Sequence, residues 1–328
     1  MTDTGLAFLC GTALDAYDPS GPAAFHDSSP VLRHRYRQVA DWTGVPAGRL
    51  LGGDHAGAGA RERALIGRLA PATAMLGIHD VLAVHRIRPG VLGGLGVGAM
   101  VASSLAGALP REALIRTLAD GGGPDEPEPA GAVALVFLPA GHDPEWYRDA
   151  LRAGVRFGGS LGEDTGGTYR VVLLTGGGDA LRRLAAEAPE GAVRINGSPG
   201  VTVHSPLGRA AHDRMRRLVT GLPFAAPVLP LCSPLEARTL RTADEVGDLF
   251  SRNVVRPADL GALTAEMHAH GTRLGLVLGP SLPRNLLRFP FPVVHVESPA
   301  DVARAISAIL EFGVEMSPAG PHRVPYRA

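Results

Sequence analysis

The stretch Val91 to Leu109, "VLGGLGVGAMVASSLAGAL", constrains the fold more than any other part of the sequence. It begins with a short apolar run, continues through alternating glycines at 94, 96 and 98, and ends in small residues with helical character. A buried strand that bends sharply into a helix needs small neighbours at the bend, and the helix N-terminus then aims its amides at one point. The stretch therefore predicts an elbow of the kind that presents a nucleophile, with Gly96 at the nucleophile position.

A second stretch, "GGSLGE" at residues 158–163, matches a serine elbow more closely in its letters. It is followed by "DTGGT", which is typical of a turn, and then by another β-type run instead of a helix. We therefore interpret it as a glycine-rich hairpin, and Ser160 is not expected to be a nucleophile.

The strongest linker signal in the chain is "GGGPDEPEPAG" at residues 121–131. Before it, apolar residues at helical spacing predict helices over about 29–51 and 61–85. After it, the patterns follow the order β-α-β-β-α-β, which is the ferredoxin-like split unit. We expect a large α/β domain formed by residues 1–127 and 204–328, with a small ferredoxin-like domain inserted at 128–203.

Composition excludes several kinds of chemistry. All 32 basic residues are arginine, so no lysine Schiff base can form, and the zero net charge favours neither nucleic acid nor an anionic membrane as partner. Two cysteines suit a reducing cytoplasm, and no apolar run is long enough for a membrane span. His268 and His270 stand two positions apart on a predicted helix and do not converge on one metal ion. We expect a cytoplasmic protein with no metal site.

Five segments in order resemble the malonyl-CoA:acyl-carrier-protein transacylases and the acyltransferase domains of polyketide synthases. The Gly-His-Ser-Leu-Gly-Glu elbow of that family reads Gly-Leu-Gly-Val-Gly-Ala at 94–99 here, followed by Ala-Gly-Ala-Leu at 106–109. The segments "HSPLGRAAHDRM" from 204, "GTRLGLVLGPS" from 271 and "VVHVESPADVARAI" from 293 resemble later family motifs. The resemblance runs from about Gly5 to Phe312. It implies a large α/β-hydrolase-like domain with a parallel sheet, and it makes this chain a degenerate member without the elbow serine.

In the family, a serine takes an acyl group from coenzyme A and passes it to a carrier thiol, while a histidine acts as general base. By the resemblance, His204 matches that histidine, and Asn253 matches a residue that orients it through a backbone carbonyl. The serine is replaced by Gly96. The positions implied for the oxyanion hole and the acyl pocket are Thr12, Leu95, Val97, Gly121 and Val203.

Side chains at most of those positions depart from the family. Leu95 replaces a histidine, Thr12 replaces a glutamine, and Gly121 replaces the arginine that holds the malonyl carboxylate. Val203 matches neither the phenylalanine of malonyl-specific members nor the serine of methylmalonyl-specific ones. The amides of Val97 and Thr12 belong to the main chain, so these replacements need not abolish the oxyanion hole.

Three functional hypotheses follow. The first is a protein of polyketide or fatty-acid biosynthesis that acts on a pantetheine-linked acyl group without an acyl-serine, with His204 as base. The second is a pseudoenzyme that binds a carrier protein, and the third is a malonyltransferase with a substitute nucleophile such as Cys10. The expected ligand is acyl-CoA or a phosphopantetheine thioester with no resident cofactor, and the expected partners are an acyl carrier protein and a ketosynthase. The acyl group, its acceptor and the oligomeric state stay open.

Overall fold

The structure is a computed structural model that describes residues 5–12, 17–52, 58–121, 131–195 and 204–316. The strands are β1 (Leu6–Cys10), β2 (Val91–Gly94), β3 (Gly131–Pro139), β4 (Arg156–Glu163), β5 (Tyr169–Gly177), β6 (Val193–Ile195), β7 (Leu231–Cys232), β8 (Thr239–Leu240), β9 (Ala258–Asp259), β10 (Leu274–Leu278) and β11 (Val293–Val296). The helices are α1 (Ser20–Ser28), α2 (Pro30–Thr43), α3 (Ala47–Leu51), α4 (Ala60–Val84), α5 (Val97–Leu105), α6 (Arg111–Asp120), α7 (Glu145–Arg152), α8 (Gly178–Glu187), α9 (Arg209–Val219), α10 (Ala243–Arg252), α11 (Leu260–Ala269) and α12 (Pro299–Glu311).

The larger sheet has the strand order β11-β10-β1-β2-β7-β8. Its pairs are parallel except for β7 with β8. All five residues of β1 are buried, as expected for a central parallel strand covered on both faces. The register pairs Cys10 with Gly94, so the carboxyl ends of β1 and β2 lie side by side. The predicted α/β class and parallel sheet are confirmed.

The second sheet has the order β6-β3-β5-β4-β9. Strands β3 to β6 pair antiparallel, and helices α7 and α8 separate them along the chain in the order β-α-β-β-α-β. Strand β9, from residues 258–259, adds to β4 in parallel, although it comes from the part of the chain assigned to the large domain. Residues 127, 128 and 203, at the predicted boundaries, lie outside the described residues. The division into two domains stays a prediction.

An apolar cluster joins the two sheets. Leu9 and Val91 contribute from the larger sheet, and Leu135 and Leu161 contribute from the smaller one. Leu95, at the elbow, is 2% exposed and belongs to the same cluster. Burying such side chains contributes about 1.5–3 kcal/mol each, so the elbow is anchored between the sheets.

A charged cluster ties three helices together. Asp80 of α4 accepts from Arg35 of α2 at 2.6 Å and from Arg111 of α6 at 2.8 Å. Burial alone would raise the pKa of Asp80, but the hydrogen bond from His79 and the charges of both arginines hold that pKa far below its ordinary value. Because these groups are largely buried, removing the carboxylate would leave the charges of the two arginines without their partner.

The helical pattern over residues 29–51 divides into two helices. Gly44 adopts a left-handed φ of 73° and ends α2 at Thr43, and α3 begins at Ala47. Helix α1 and the two-residue strands β8 and β9 were not predicted from the sequence. Two-residue strands have no periodicity of their own, so only their pairing partners define them.

Candidate active site at the Gly96 elbow

Gly96 lies at a sharp bend between β2, which ends at Gly94, and α5, which begins at Val97. Its φ of 54° and ψ of −123° are angles that residues with a β-carbon rarely adopt. The residue caps the N-terminus of α5, where the first amides of a helix have no partner inside the helix. The bend thus places the positive end of the helix dipole at Gly96, while the amides of Gly98 and Ala99 donate to the carbonyl oxygens of Leu95 and Gly96.

The neighbouring glycines are required by close packing against β1. A β-carbon on Gly94 would lie 2.5 Å from the carbonyl oxygen of Cys10, and one on Gly98 would lie 2.0 Å from the same oxygen. The amide of Leu95 also donates to that oxygen at 2.9 Å. The spaced glycines therefore let the elbow pack directly against the end of β1.

His204 and Thr12 converge on Gly96 from two other parts of the chain. A β-carbon placed on Gly96 would lie 3.3 Å from Nε2 of His204. The same point lies 3.3 Å from Cβ and 3.4 Å from Oγ1 of Thr12. The structure thus brings together His204, the elbow and the turn after β1, which the sequence analysis selected separately.

Asn253 connects the elbow to the histidine. It lies at the C-terminal end of α10, is 5% exposed, and its Nδ2 donates to the carbonyl oxygen of Gly96 at 2.9 Å. The next residue, Val254, accepts a hydrogen bond from the amide of His204 at 2.7 Å. The bond from the Asn253 side chain to the elbow was not predicted, because nothing in the sequence relates two residues so far apart in the chain.

The imidazole of His204 lies in a dry environment. The residue is 4% exposed and has a left-handed φ of 61°, which is uncommon for a residue with a β-carbon. Burial lowers the pKa of His204 to about 4, and main-chain groups of Arg256 and Asn253, which favour the charged ring, offset only part of that effect. The ring is therefore neutral at pH 7 and a weaker base than a solvated histidine.

The late Gly-Pro-Ser segment positions the turn that carries Thr12. Oγ of Ser281 accepts a hydrogen bond from the amide of Gly11 at 3.0 Å and donates to the carbonyl oxygen of Leu278 at 2.8 Å. A β-carbon on Gly11 would lie 2.1 Å from the carbonyl oxygen of Ser281, so the two turns are in close contact. This contact gives a structural reason for a motif that the sequence analysis noted only by resemblance.

Gly121 lies apart from this convergence. It follows α6, and its nearest neighbours are Thr117, Leu118 and Met215, whose Cε would lie 3.6 Å from an added β-carbon. Arg116, on the same helix, is largely exposed and pairs with Glu112 at 2.8 Å. Gly121 has no side chain, and the guanidinium of Arg116 is paired on its own helix. The remaining predicted pocket residue, Val203, lies outside the described residues.

The other candidate nucleophiles are held elsewhere. Ser160 lies within β4, between β5 and β9, and Oγ of Ser103 donates to the carbonyl oxygen of Ala99 inside α5. Cys10 is 1% exposed, and burial raises the pKa of its thiol far above the ordinary value. The three atoms nearest to the point that a β-carbon of Gly96 would occupy belong to His204 and Thr12, and none of them belongs to Ser160, Ser103 or Cys10.

No cluster of three or more His, Cys, Asp or Glu side chains suited to a metal ion occurs within the described ranges. His268 is exposed, whereas Nε2 of His270 lies 2.6 Å from Oγ1 of Thr239. Among the helices of the described residues, none has the length and apolar character needed to cross a membrane.

Several solved structures of known proteins have the same fold as this chain. The malonyl-CoA:acyl carrier protein transacylase of Xanthomonas oryzae superposes with a TM-score of 0.77 at 19% identity, covering 94% of this chain and 99% of that one. The fold is that of the malonyl transacylases. The acyltransferase domain of the second module of the salinomycin polyketide synthase gives a TM-score of 0.73 at 19% identity, covering 94% of this chain and 74% of that one.

A malonyl-transacylase solved in complex with its type II polyketide acyl carrier protein gives a TM-score of 0.74 at 17% identity, covering 92% of this chain and 98% of that one. No family model matches the sequence, and a comparison with curated proteins also finds no match. The transacylase fold is therefore shared with proteins whose sequences have diverged widely from this one.

Proposed function

We propose that this protein acts on an acyl group held as a thioester on a pantetheine arm, and that it does so without an acyl-serine intermediate. The observation that carries the proposal is the position of Nε2 of His204, 3.3 Å from the point where a β-carbon of Gly96 would stand. A base and an elbow in this relation are the parts of an acyl-transfer site. Because residue 96 has no hydroxyl, no ester can form on it.

In this proposal His204 is the general base. Its neutral ring takes a proton from an incoming nucleophile, either water or a carrier thiol, as that nucleophile attacks the thioester carbonyl. The amides of Val97 and Thr12 stabilise the oxyanion, aided by the N-terminus of α5. Asn253 supports the geometry, because its side chain holds the carbonyl of Gly96.

The expected partner is an acyl carrier protein, and the expected small ligand is an acyl-CoA. Support comes from the similar malonyl-transacylase that was solved in complex with its acyl carrier protein. A ketosynthase is a further candidate partner if the protein works in polyketide or fatty-acid assembly. The proposed chemistry uses only side chains, main-chain amides and the thioester itself, so it calls for no resident cofactor.

The test is a reaction with malonyl-, acetyl- and longer acyl-CoA, with and without a holo carrier protein. Thiol release reports hydrolysis, and mass spectrometry of the carrier reports transfer. We expect turnover that falls by about 10²- to 10⁴-fold in His204→Ala, with no acyl group on the enzyme. His268→Ala, a change at an exposed histidine, is the matched control. Full activity of His204→Ala would contradict the proposal.

A second candidate is a pseudoenzyme that binds an acylated carrier without turnover. Two observations favour it: burial lowers the pKa of His204 to about 4, which makes the ring a weak base, and the position of the malonyl-binding arginine is Gly121. Carrier binding without product, unchanged in His204→Ala, would select this candidate. An acyl group found on the enzyme would instead select the third hypothesis, a malonyltransferase with a substitute nucleophile.

A further inference from the structure

We propose that the hydroxyl of Thr12 is a catalytic group, and that Thr12 and His204 together bind a water molecule as the nucleophile. The protein would then hydrolyse acyl thioesters and release a free acid. The inference rests on the proposed function, because it names the nucleophile that the site of His204 uses. The resemblance places a glutamine at this position in the family, whereas residue 12 of this chain is a threonine with a hydroxyl.

The side chains of Thr12 and His204 both face residue 96, where they form the proposed site for one water molecule. Oγ1 of Thr12 and Nε2 of His204 lie 3.4 Å and 3.3 Å from the point that a β-carbon of Gly96 would occupy. The two polar atoms therefore face the same side of the elbow. An oxygen atom held beyond that point, away from the Gly96 backbone, can hydrogen-bond to both, because hydrogen bonds to oxygen span about 2.6–3.2 Å. A side chain at residue 96 would project between Thr12 and His204, and glycine leaves that side of the elbow to the nucleophile.

The chemistry of the two groups is complementary. A threonine hydroxyl both donates and accepts, so it can orient a water whose proton points at Nε2. Nε2 of His204 is the ring nitrogen that faces residue 96. A ring that carries its proton on Nδ1 leaves Nε2 as the acceptor. The contact between Ser281 and Gly11 fixes the turn on which Thr12 stands.

The reaction balances without any further reactant. The water oxygen forms a bond to the thioester carbonyl carbon while one water proton moves to Nε2 of His204, giving a tetrahedral intermediate with its oxyanion near the amides of Val97 and Thr12. The carbon–sulfur bond then breaks, and the imidazolium returns its proton to the leaving sulfur. The products are a carboxylic acid and the free thiol of the pantetheine arm.

The test compares Thr12→Val, which keeps the shape but removes the hydroxyl, with Thr12→Ser, which keeps the hydroxyl. We expect kcat for acyl-CoA hydrolysis to fall by about tenfold or more in Thr12→Val with little change in KM, and to stay within a few-fold of the parent in Thr12→Ser. Reaction in ¹⁸O-water should label the released acid. Urea unfolding midpoints of the variants establish that each one is folded.

The outcomes separate this inference from the proposed function. If His204→Ala is inactive and Thr12→Val has the kcat of the parent, the role of Thr12 is wrong and the proposed function stands. The same holds if the protein transfers acyl groups to a carrier but releases no acid. An acyl ester on Thr12 itself, found by mass spectrometry, would overturn both this inference and the proposed function, because Thr12 would then be a substitute nucleophile. If the parent protein turns over no thioester of any kind, the proposed function has failed.

Discussion

Adding a β-carbon to Gly96 should destabilise the protein, although the change adds little volume. The backbone at Gly96 has φ 54° and ψ −123°, and holding a residue with a side chain in such a region costs about 1–3 kcal/mol. The new carbon would also lie 3.3 Å from both Nε2 of His204 and Cβ of Thr12, so these neighbours must shift by a few tenths of an ångström. We expect Gly96→Ala to lower the free energy of unfolding by about 1–3 kcal/mol.

Gly67 provides the matched control. It lies inside α4, is exposed, and has no neighbouring atom within 4 Å of an added β-carbon. Alanine suits a helix better than glycine by up to about 1 kcal/mol, so Gly67→Ala should stabilise the protein. The same chemical change should therefore have opposite signs at the two positions, as measured by urea unfolding followed by circular dichroism.

The serine variant adds a functional result to the stability result. Gly96→Ser places a hydroxyl beside Nε2 of His204, so incubation with acyl-CoA should give an acyl adduct on residue 96 by mass spectrometry, whereas Gly96→Ala should give none. If Gly96→Ala is as stable as the parent or more stable, the strained elbow conformation is wrong. If Gly96→Ser is folded and never acylated, His204 does not act as a base on that position.

Three more predictions concern buried groups. Burial lowers the pKa of His204 to about 4, while an unfolded histidine titrates near 6.5, so the unfolded state binds more protons between these pH values. The contribution of His204 to the free energy of unfolding should therefore fall by about 3 kcal/mol from pH 6.5 to pH 4 and be flat above pH 6.5. Urea unfolding at a series of pH values should show a smaller pH dependence in His204→Gln. Asp80→Asn should lower the free energy of unfolding in urea by about 3–5 kcal/mol, because it leaves two arginines without their carboxylate. Asp149→Asn, at an exposed ion pair, should change that free energy by less than about 1 kcal/mol. Equal effects of the two substitutions would contradict the buried network. Cys10 and Cys232 are each 1% exposed, and burial raises the pKa of the Cys232 thiol to about 12. Neither thiol should therefore react with iodoacetamide until the protein unfolds. Fast labelling of Cys10 in the native protein would make it a candidate nucleophile.

Much of the candidate site could be selected from the sequence. The glycines around residue 96 predicted the bend, because a strand–turn–helix elbow with small residues has few alternatives. His204 and Asn253 were selected only through their resemblance to a family pattern, since neither stands in a locally distinctive stretch. The side-chain bond from Asn253 to Gly96 and the approach of the Thr12 hydroxyl could not be predicted, because both depend on how distant segments meet.

The sequence by itself determined the features that depend on neighbours along the chain. Apolar runs such as that of β1, the bend at Gly96 and the order of strands and helices follow from periodicity and turn chemistry. Two further features depend on the tertiary structure. Gly98 must be glycine because the carbonyl oxygen of Cys10 would lie 2.0 Å from a β-carbon there. His204 has a low pKa because other segments of the chain bury its ring. The physical reason is that contacts and solvent exclusion depend on the packing of segments that are remote in sequence, and local propensities carry no information about that packing.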